Sequence, residues 1–335
     1  MCRLFSPLKI KNMELKNRIV LPPMCMKMAE DGFVNDFHII HYTARAIGQM
    51  GLIIVEAAAV MDNGQITKED LGIWNDKFVP KLKELVDSVH AYDAKIGIQI
   101  SHAGRKARDT NNMIAPSALS YGDYKTPREM TVKEIKEVVK AFGLAAKRAE
   151  EAGFDFLEIH AAHGYLINQF LSPISNERID EYGGTFKNRK KILHEIVEEI
   201  RKYWPKEKPL GVRFSATEYE EKGLNLSDIL AIIYCNEKDI DVINVTTGGI
   251  TTATYETYPG YQLNYAKEIK NKTDKVIVAG GLITTSELAG MILNENIADL
   301  VYFGRLALKE PYFPLRFAKE LAVDIKWPEF YERAK

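Results

Sequence analysis

Short apolar, β-branched runs recur along the chain. They alternate with stretches whose apolar residues follow a helical period. The runs begin at Ile19 (IVLPPM), Leu52 (LIIVEAAAV), Lys95 (KIGIQI), Phe156 (FLEIHAAH), Leu210 (LGVRFSA), Asp241 (DVINVTT), Val276 (VIVAGG) and Leu300 (LVYFGR). Each interval is long enough for a strand, a loop and a helix. Between the runs, Thr131-Val-Lys-Glu134 and Thr284-Thr-Ser-Glu287 fit the capping box. The stretch from Asn188 to Trp204 puts Ile192, Ile196 and Ile200 on one stripe and stops at Pro205, which cannot continue a helix. Near-continuous apolar strands separated by helices predict a parallel sheet covered on both faces. Eight such units predict a closed (β/α)8 TIM barrel, taken as a single domain over residues 1–335. An open doubly wound sheet is the rival, but its G-x-G fingerprint occurs nowhere in the chain. The longest interval runs from Lys95 to Phe156. Its first half, Ser101 to Met130, has little periodicity and predicts a long loop forming a lid or substrate wall.

Composition narrows the class. Apolar residues make up 46% and charged residues 27% of 335, which excludes a disordered chain. Lys and Arg (45) nearly balance Asp and Glu (46), so nothing in the net charge of −1 attracts nucleic acid or an anionic membrane. No apolar run is long enough to predict a transmembrane helix, and Met1 to Arg18 lacks the apolar core of a signal peptide. Cys2, Cys25 and Cys235 are too few for a disulfide framework or a four-cysteine metal site. These features predict a cytoplasmic protein in a reducing compartment.

Barrel chemistry gathers at the C-terminal ends of strands, and polar residues cluster there. The first run ends in Pro22-Pro23-Met24-Cys25-Met26-Lys27, and the third carries Gln99. The fourth continues into His160-Ala-Ala-His163-Gly-Tyr165, the fifth carries Arg213, and the last two end in Gly280-Gly281 and Gly304-Arg305. Two glycine-bearing turns followed by helix N-termini, with an arginine beside them, suit a phosphate group. The plain alternative is a pair of tight turns with a surface arginine. His160 and His163 invite a zinc reading, but no third ligand is evident nearby. Their position suits hydrogen-bond donors to a substrate oxygen better. Arg213 needs a partner if buried: either Glu158 in an internal ion pair, or a ligand that gains negative charge. A lone thiol such as Cys25 is ordinarily a small apolar filler.

With these residues in view, the sequence resembles the Old Yellow Enzyme family of FMN-dependent ene-reductases, in the subclass of bacterial NADPH dehydrogenases. The resemblance rests on Pro23-Met24-Cys25-Met26, the block from His41 to Gly48, and His102-Ala-Gly-Arg-Lys106. It continues through Glu158 to Ile167, Asp180 to Gly184 with Asn188-Arg189, Tyr258-Pro-Gly-Tyr261, Gly304-Arg305 and Tyr331-Glu-Arg333. It implies an oxidoreductase that uses NADPH or NADH to reduce activated C=C bonds in small electrophilic alkenes (enones, enals, maleimides, nitroalkenes), with hydride passing through flavin N5. Pro22, Pro23, Met24, Cys25, Ala57 and Gln99 would then contact the flavin ring, with Arg213 near N1 and C2=O. Gly281, Gly304 and Arg305 would hold the phosphate. His160 and His163 would bind the substrate oxygen, and Tyr165 would be the proton donor. Cys25 counts among the catalytic residues for tuning the flavin, not as a nucleophile. Arg333 would reach a neighbouring subunit's site, implying a homodimer or a dimer-based tetramer.

Two departures stand out. Lys27 occupies a position where the subclass usually has tyrosine in contact with substrate. It either favours anionic substrates or swings to solvent and leaves the pocket wider. Asn168 and Gln169 replace a His-Glu pair common in related proteins, at positions expected to lie away from the substrate. A metal-assisted hydrolase using His160 and His163, and a non-catalytic flavin redox sensor using Cys25, remain the functional alternatives.

Overall fold

The computed structural model describes residues 3–335; Cys2, one of the three thiols, lies outside the described residues. Eight parallel strands close into a barrel in sequence order: β1 (Ile19–Leu21), β2 (Leu52–Ala59), β3 (Lys95–Ser101), β4 (Phe156–Ala161), β5 (Leu210–Ser215), β6 (Val242–Thr246), β7 (Val276–Ala279) and β8 (Leu300–Tyr302). Closure comes from β8 against β1, where Val301 faces Ile19 and Tyr302 faces Val20. Every strand lies in one of the apolar runs read from the sequence. Asp241 itself stands just before β6, where its carboxylate accepts from Leu210 N–H (2.9 Å) and pairs with Arg201 (2.9 Å) and Lys11 (2.9 Å).

Each strand is followed by a principal helix: α1 (Asp36–Ile47), α2 (Val79–His90), α3 (Val132–Glu151), α4 (Lys191–Ile200), α5 (Leu226–Cys235), α6 (Leu263–Lys272), α7 (Ser286–Asn294) and α8 (Phe313–Glu320). The capping box at Thr131 and Glu134 forms at the start of α3. The one read at Thr284 and Glu287 does not. Thr285 is the residue in extended conformation, its hydroxyl accepts from Leu288 N–H, and α7 starts one residue later than the box requires. The helix read from Asn188 to Trp204 is also shorter. Residues Phe186–Arg189 form a separate turn, α4 begins at Lys191, and the chain leaves the helix after Ile200. Ile192, Ile196 and Ile200 do form its buried stripe. Trp204 packs inward beyond the helix and donates to Pro209 C=O at 3.1 Å.

The barrel interior is filled by Val20, Leu52, Ile54, Phe156, Val242, Val278 and Leu300. A hairpin of Leu8–Ile10 and Met13–Leu15 packs Ile10, Met13 and Leu15 against this layer and plugs the N-terminal end. Phe156 fits because its neighbours are glycines: a Cβ on Gly97 or Gly211 would stand 2.7 or 2.4 Å from its ring. The opposite end stays open. Over it lies the long segment after β3, a helical turn at Gly104–Lys106 and a two-stranded piece pairing Ile114–Ala115 with Arg128–Glu129. Arg105 anchors this segment by donating to Ser120 C=O (3.3 Å) and Ile250 C=O (2.6 Å), and Tyr121 OH donates to Thr251 C=O (3.1 Å). Among the described residues no helix is long and apolar enough to cross a membrane.

Candidate active site

A cavity of about 430 Å³ opens at the C-terminal end of the barrel. Of the residues named from sequence, Pro22, Pro23, Met24, His163, Arg213, Gly281, Gly304 and Arg305 line it. Its remaining wall includes Thr246, Tyr261, Gln262 and Tyr302, which sequence reasoning did not assign. Tyr302 ends β8, where apolar alternation hid a polar tip. Its hydroxyl donates to Gln262 Oε1 (2.5 Å), and Gln262 Nε2 donates to Thr246 Oγ1 (3.1 Å) and Thr247 Oγ1 (3.2 Å).

Arg213 stands on β5 beside His160 of β4 and Asn244 of β6 in the ladder. It is 8% exposed, its guanidinium lies 5.6 Å from the centre of the Tyr302 ring, and its Nε has no hydrogen-bond partner. The ion pair with Glu158, one of the two sequence expectations, does not form at contact distance. Glu158 accepts instead from Gln99 Nε2 (2.7 Å) and Asn244 Nδ2 (2.8 Å). Burial raises the Glu158 pKa, while Arg213 and the two amides pull it back. Gln99 is therefore held within the barrel by the carboxylate beside it.

The chain leaves β4 after Ala161 and turns sharply. His163 (φ 56°) and Gly164 (φ 70°) are both left-handed, which brings two histidines that a continuous strand would separate onto one side. The His160 ring centre lies 5.3 Å from that of His163 and 4.8 Å from that of Tyr165. Burial, with Arg213 adding, holds both imidazoles well below their usual pKa, so both are neutral. His160 Nδ1 accepts from Ala162 N–H (3.3 Å), which leaves the proton on Nε2. His163 Nε2 is 2.8 Å from Thr246 Oγ1. Burial raises the Tyr165 pKa, so its phenol keeps its proton.

Cys25 lies outside the cavity wall and is open to solvent on one side. Burial on the other side, with Asp70 and Glu56 adding, pushes its pKa up, so it is a thiol. A bulge interrupts β2 between Val55 and Ala58, and the nearby Ala57 backbone offsets part of that rise. Lys27 is exposed in a left-handed conformation (φ 57°) near Asp70. Arg333 lies in an exposed turn, Glu329–Ala334, and does not line its own chain's cavity.

The glycine turns form a close-fitting cradle. A Cβ on Gly280 would stand 2.3 Å from the Tyr302 ring, and one on Gly281 3.2 Å from Gln262 and Tyr261. The helix N-termini expected behind both turns are uneven: α7 starts five residues after Gly281, whereas Arg305 opens a five-residue helix directly.

Residues 3–324 match the NADH:flavin oxidoreductase / NADH oxidase family. An NADPH dehydrogenase of Clostridium acetobutylicum is 49% identical over 99% of this chain and 99% of its own length. An NADPH dehydrogenase of Bacillus subtilis is 46% identical over 99% of this chain and 98% of its own. Among solved structures, morphinone reductase in complex with tetrahydroNAD superposes with a TM-score of 0.81 at 27% identity, over 97% of this chain and 92% of that one. A 2-naphthoyl-CoA reductase complex superposes with a TM-score of 0.91 at 27% identity over 95% of this chain. This chain spans about half of that longer protein, 52%.

Proposed function

The chain belongs to the NADH:flavin oxidoreductase / NADH oxidase family, as an FMN oxidoreductase of the Old Yellow Enzyme type with NAD(P)H as reductant, and on that premise we propose that it reduces activated alkenes. The observation that carries this reading is the buried Arg213, its Nε without a hydrogen-bond partner, on the wall of a cavity next to two neutral imidazoles. A buried N–H without an acceptor is costly, and an electron-rich ligand edge relieves that cost. The residues fit FMN on two counts: Arg213 Nε lacks a partner, and Gly281, whose φ of 102° disfavours any side chain, lines the cavity with Gly304 and Arg305 where a phosphate would sit.

In this reading Arg213 holds the pyrimidine edge of the flavin. Gly281, Gly304 and Arg305 hold the phosphate, and Pro22, Pro23, Met24, Cys25, Ala57 and Gln99 border the ring. When bound, FMN supplies the hydride relay from NAD(P)H to the alkene. The protein's share is electrostatic. His160 Nε2–H points a donor at the oxygen of an enone, enal, maleimide or nitroalkene, where negative charge grows during reduction. Thr246 accepts from Gln262, so its own hydroxyl proton is available to His163 Nε2, which leaves His163 Nδ1–H as the second donor. Tyr165, a neutral phenol packed against His160, delivers a proton to the α-carbon. Lys27, at the mouth, biases the choice of substrate.

The chain acts as one domain over residues 1–335 and assembles with itself. Phe330 and Tyr331 are exposed apolar rings beside Arg333 on the C-terminal turn, which suits a contact that carries Arg333 to a second copy's site. Exposed free thiols at Cys25 and Cys235 suit the reducing cytoplasm. The deciding test is an anaerobic visible spectrum. A yellow protein that NADPH bleaches and 2-cyclohexenone restores supports the reading. A protein that takes up FMN and is not restored by any electrophilic alkene refutes it.

A further inference from the structure

The turn that carries His163 and Tyr165 is held by Ser215 and Lys106 at His163, and at Gly164 by two further side chains that no part of the chemistry uses. Gly164, the residue between them, has its N–H donated to Asn168 Oδ1 (2.7 Å), and its C=O accepts from Gln169 Nε2 (2.7 Å). Both amides are buried, at 1% and 0% exposure. Their orientations are fixed by the backbone groups they meet. Gly164 N–H can only donate, so Asn168 turns its oxygen to it. Arg105 N–H can only donate, so Gln169 gives it Oε1 (3.1 Å) and points its NH2 at the carbonyls of Gly164 and Ala103 (3.0 Å). Asn168 is fixed from behind. Its Nδ2 donates to Glu218 Oε1 (2.9 Å), while Glu218 Oε2 accepts from Ser172 OH (2.7 Å) and Leu224 N–H (2.7 Å). The loops after β3, β4 and β5 therefore meet on these amides.

The turn needs such holding. Two consecutive left-handed residues, one of them a histidine, are unfavourable without support. Gly164 also backs onto Gly249, where a Cβ would stand 2.3 Å from the Gly249 carbonyl oxygen. Turn and backing loop can fit in one register only. Resting on the functional reading above, we infer that Asn168 and Gln169, with Glu218 as anchor, are positioning residues that set where His163 and Tyr165 meet the substrate oxygen and α-carbon. A shift of about 1 Å at such groups costs on the order of a hundredfold in rate.

The Asn168–Glu218 contact offers a reciprocal test. Asn168→Asp keeps the acceptor for Gly164 N–H but sets two carboxylates against each other. Glu218→Gln alone keeps its oxygen on Ser172 and Leu224 and so sets one NH2 against another with no acceptor between them. The double variant Asn168→Asp/Glu218→Gln reverses donor and acceptor across the same contact and restores every bond. The measurements, on FMN-loaded protein, are the dissociation constant of p-hydroxybenzaldehyde from its charge-transfer absorbance, the rate of flavin reoxidation by 2-cyclohexenone, FMN content and melting temperature. Each single variant is expected to weaken phenol binding and slow reoxidation about tenfold or more, the loss of one buried hydrogen bond to a charged partner. FMN content should hold, and the double variant should recover both functions to within about threefold. Gln169→Met, which keeps volume and removes both donations, provides an independent arm with the same expected losses. Wild-type phenol binding and reoxidation in the single variants and in Gln169→Met, even with a lowered melting temperature, would overturn the inference and leave the amides purely structural. A wild-type protein that binds FMN yet shows neither phenol binding nor reoxidation would overturn the functional reading itself, and this inference with it.

Discussion

Replacing Glu56 with glutamine tests how the floor beneath the Cys25 turn is held. Glu56 lies on β2 with no exposed surface and accepts from Met26 N–H (2.8 Å) and Tyr42 OH (3.3 Å). Burial is the main cause that lifts its pKa from 4.5 to about 7; Met26 N–H pulls it back and Asp70 pushes it further. An acid whose folded pKa lies above its unfolded value binds its proton more tightly when folded. Stability therefore falls as pH rises from about 4.5 and levels off above about 7. Each tenfold difference in proton affinity is worth about 1.4 kcal/mol, so this carboxyl withdraws about 3 kcal/mol across that window. Glutamine keeps an acceptor for Met26 N–H and has no such slope. His38 and His41, which burial holds neutral with pKa values of about 4, contribute a slope of opposite sign; His38 Nε2 lies 3.6 Å from Glu56 Oε1, so the two proteins share the His41 slope but not the whole of the His38 one. Urea unfolding of wild type and Glu56→Gln from pH 4.5 to 8 should show the variant gaining about 3 kcal/mol relative to wild type as pH rises. A difference that stays flat, or falls with pH, would refute the assignment of a buried, high-pKa carboxyl beneath Cys25.

Replacing His160 and His163 together by alanine should weaken phenol binding and slow alkene reduction by about 10²-fold or more per donor, with FMN retained; stopped-flow reoxidation at wild-type speed would remove them from the site. Gly280→Ala sets a Cβ 2.3 Å from the Tyr302 ring, an overpacking cost of about 1–3 kcal/mol, so FMN affinity, read by fluorescence titration, should fall about fivefold to 150-fold where that cost falls on the loaded protein. Lys27→Tyr should change the ratio of kcat/KM for anionic over neutral alkenes without changing FMN content; an unchanged ratio means that Lys27 points to solvent.

The barrel was legible because its strands are buried on both faces and read as apolar runs, from Leu52 to Ala59 without one exposed side chain. Cap positions were less legible. Thr284 and Thr285 are adjacent and chemically equal, and only backbone conformation distinguishes them. Of the cavity wall, Arg213 was legible as a charge inside an apolar strand and Gly304 as a glycine at a strand end. The rest was hidden where polarity lies on a loop or a phenol. Gln262 and Thr246 look like ordinary loop and strand residues until Tyr302 bonds through them. The link between Glu158, Gln99 and Asn244 was equally hidden, because it joins three strands whose register no single sequence reveals. Sequence offered Glu158 as the natural partner of Arg213; two amides nearer to hand take the carboxylate instead.

That displacement has an electrical consequence for the cavity. Glu158 is the carboxylate nearest in register to the Arg213 strand, and its charge is spent on Gln99 and Asn244 within the barrel. Arg213, which attracts Glu158 at longer range, lines the cavity together with Arg305. Lys106 approaches from the lid side, its ammonium donating to the carbonyls of His163 (2.9 Å) and Gly249 (3.2 Å), and burial lowers its pKa to about 8. The histidines between these cations are neutral because burial and Arg213 keep them so. A protonated histidine would bring still more positive charge and a costly desolvation. A neutral one supplies a directed N–H without either. On the proposed reading the rim would favour ligands that accumulate negative charge, and the neutral imidazoles would donate without a proton from solvent. An arrangement of this kind stabilises charge that develops during a reaction more than charge already present in the ground state, because its dipoles are fixed before the charge appears.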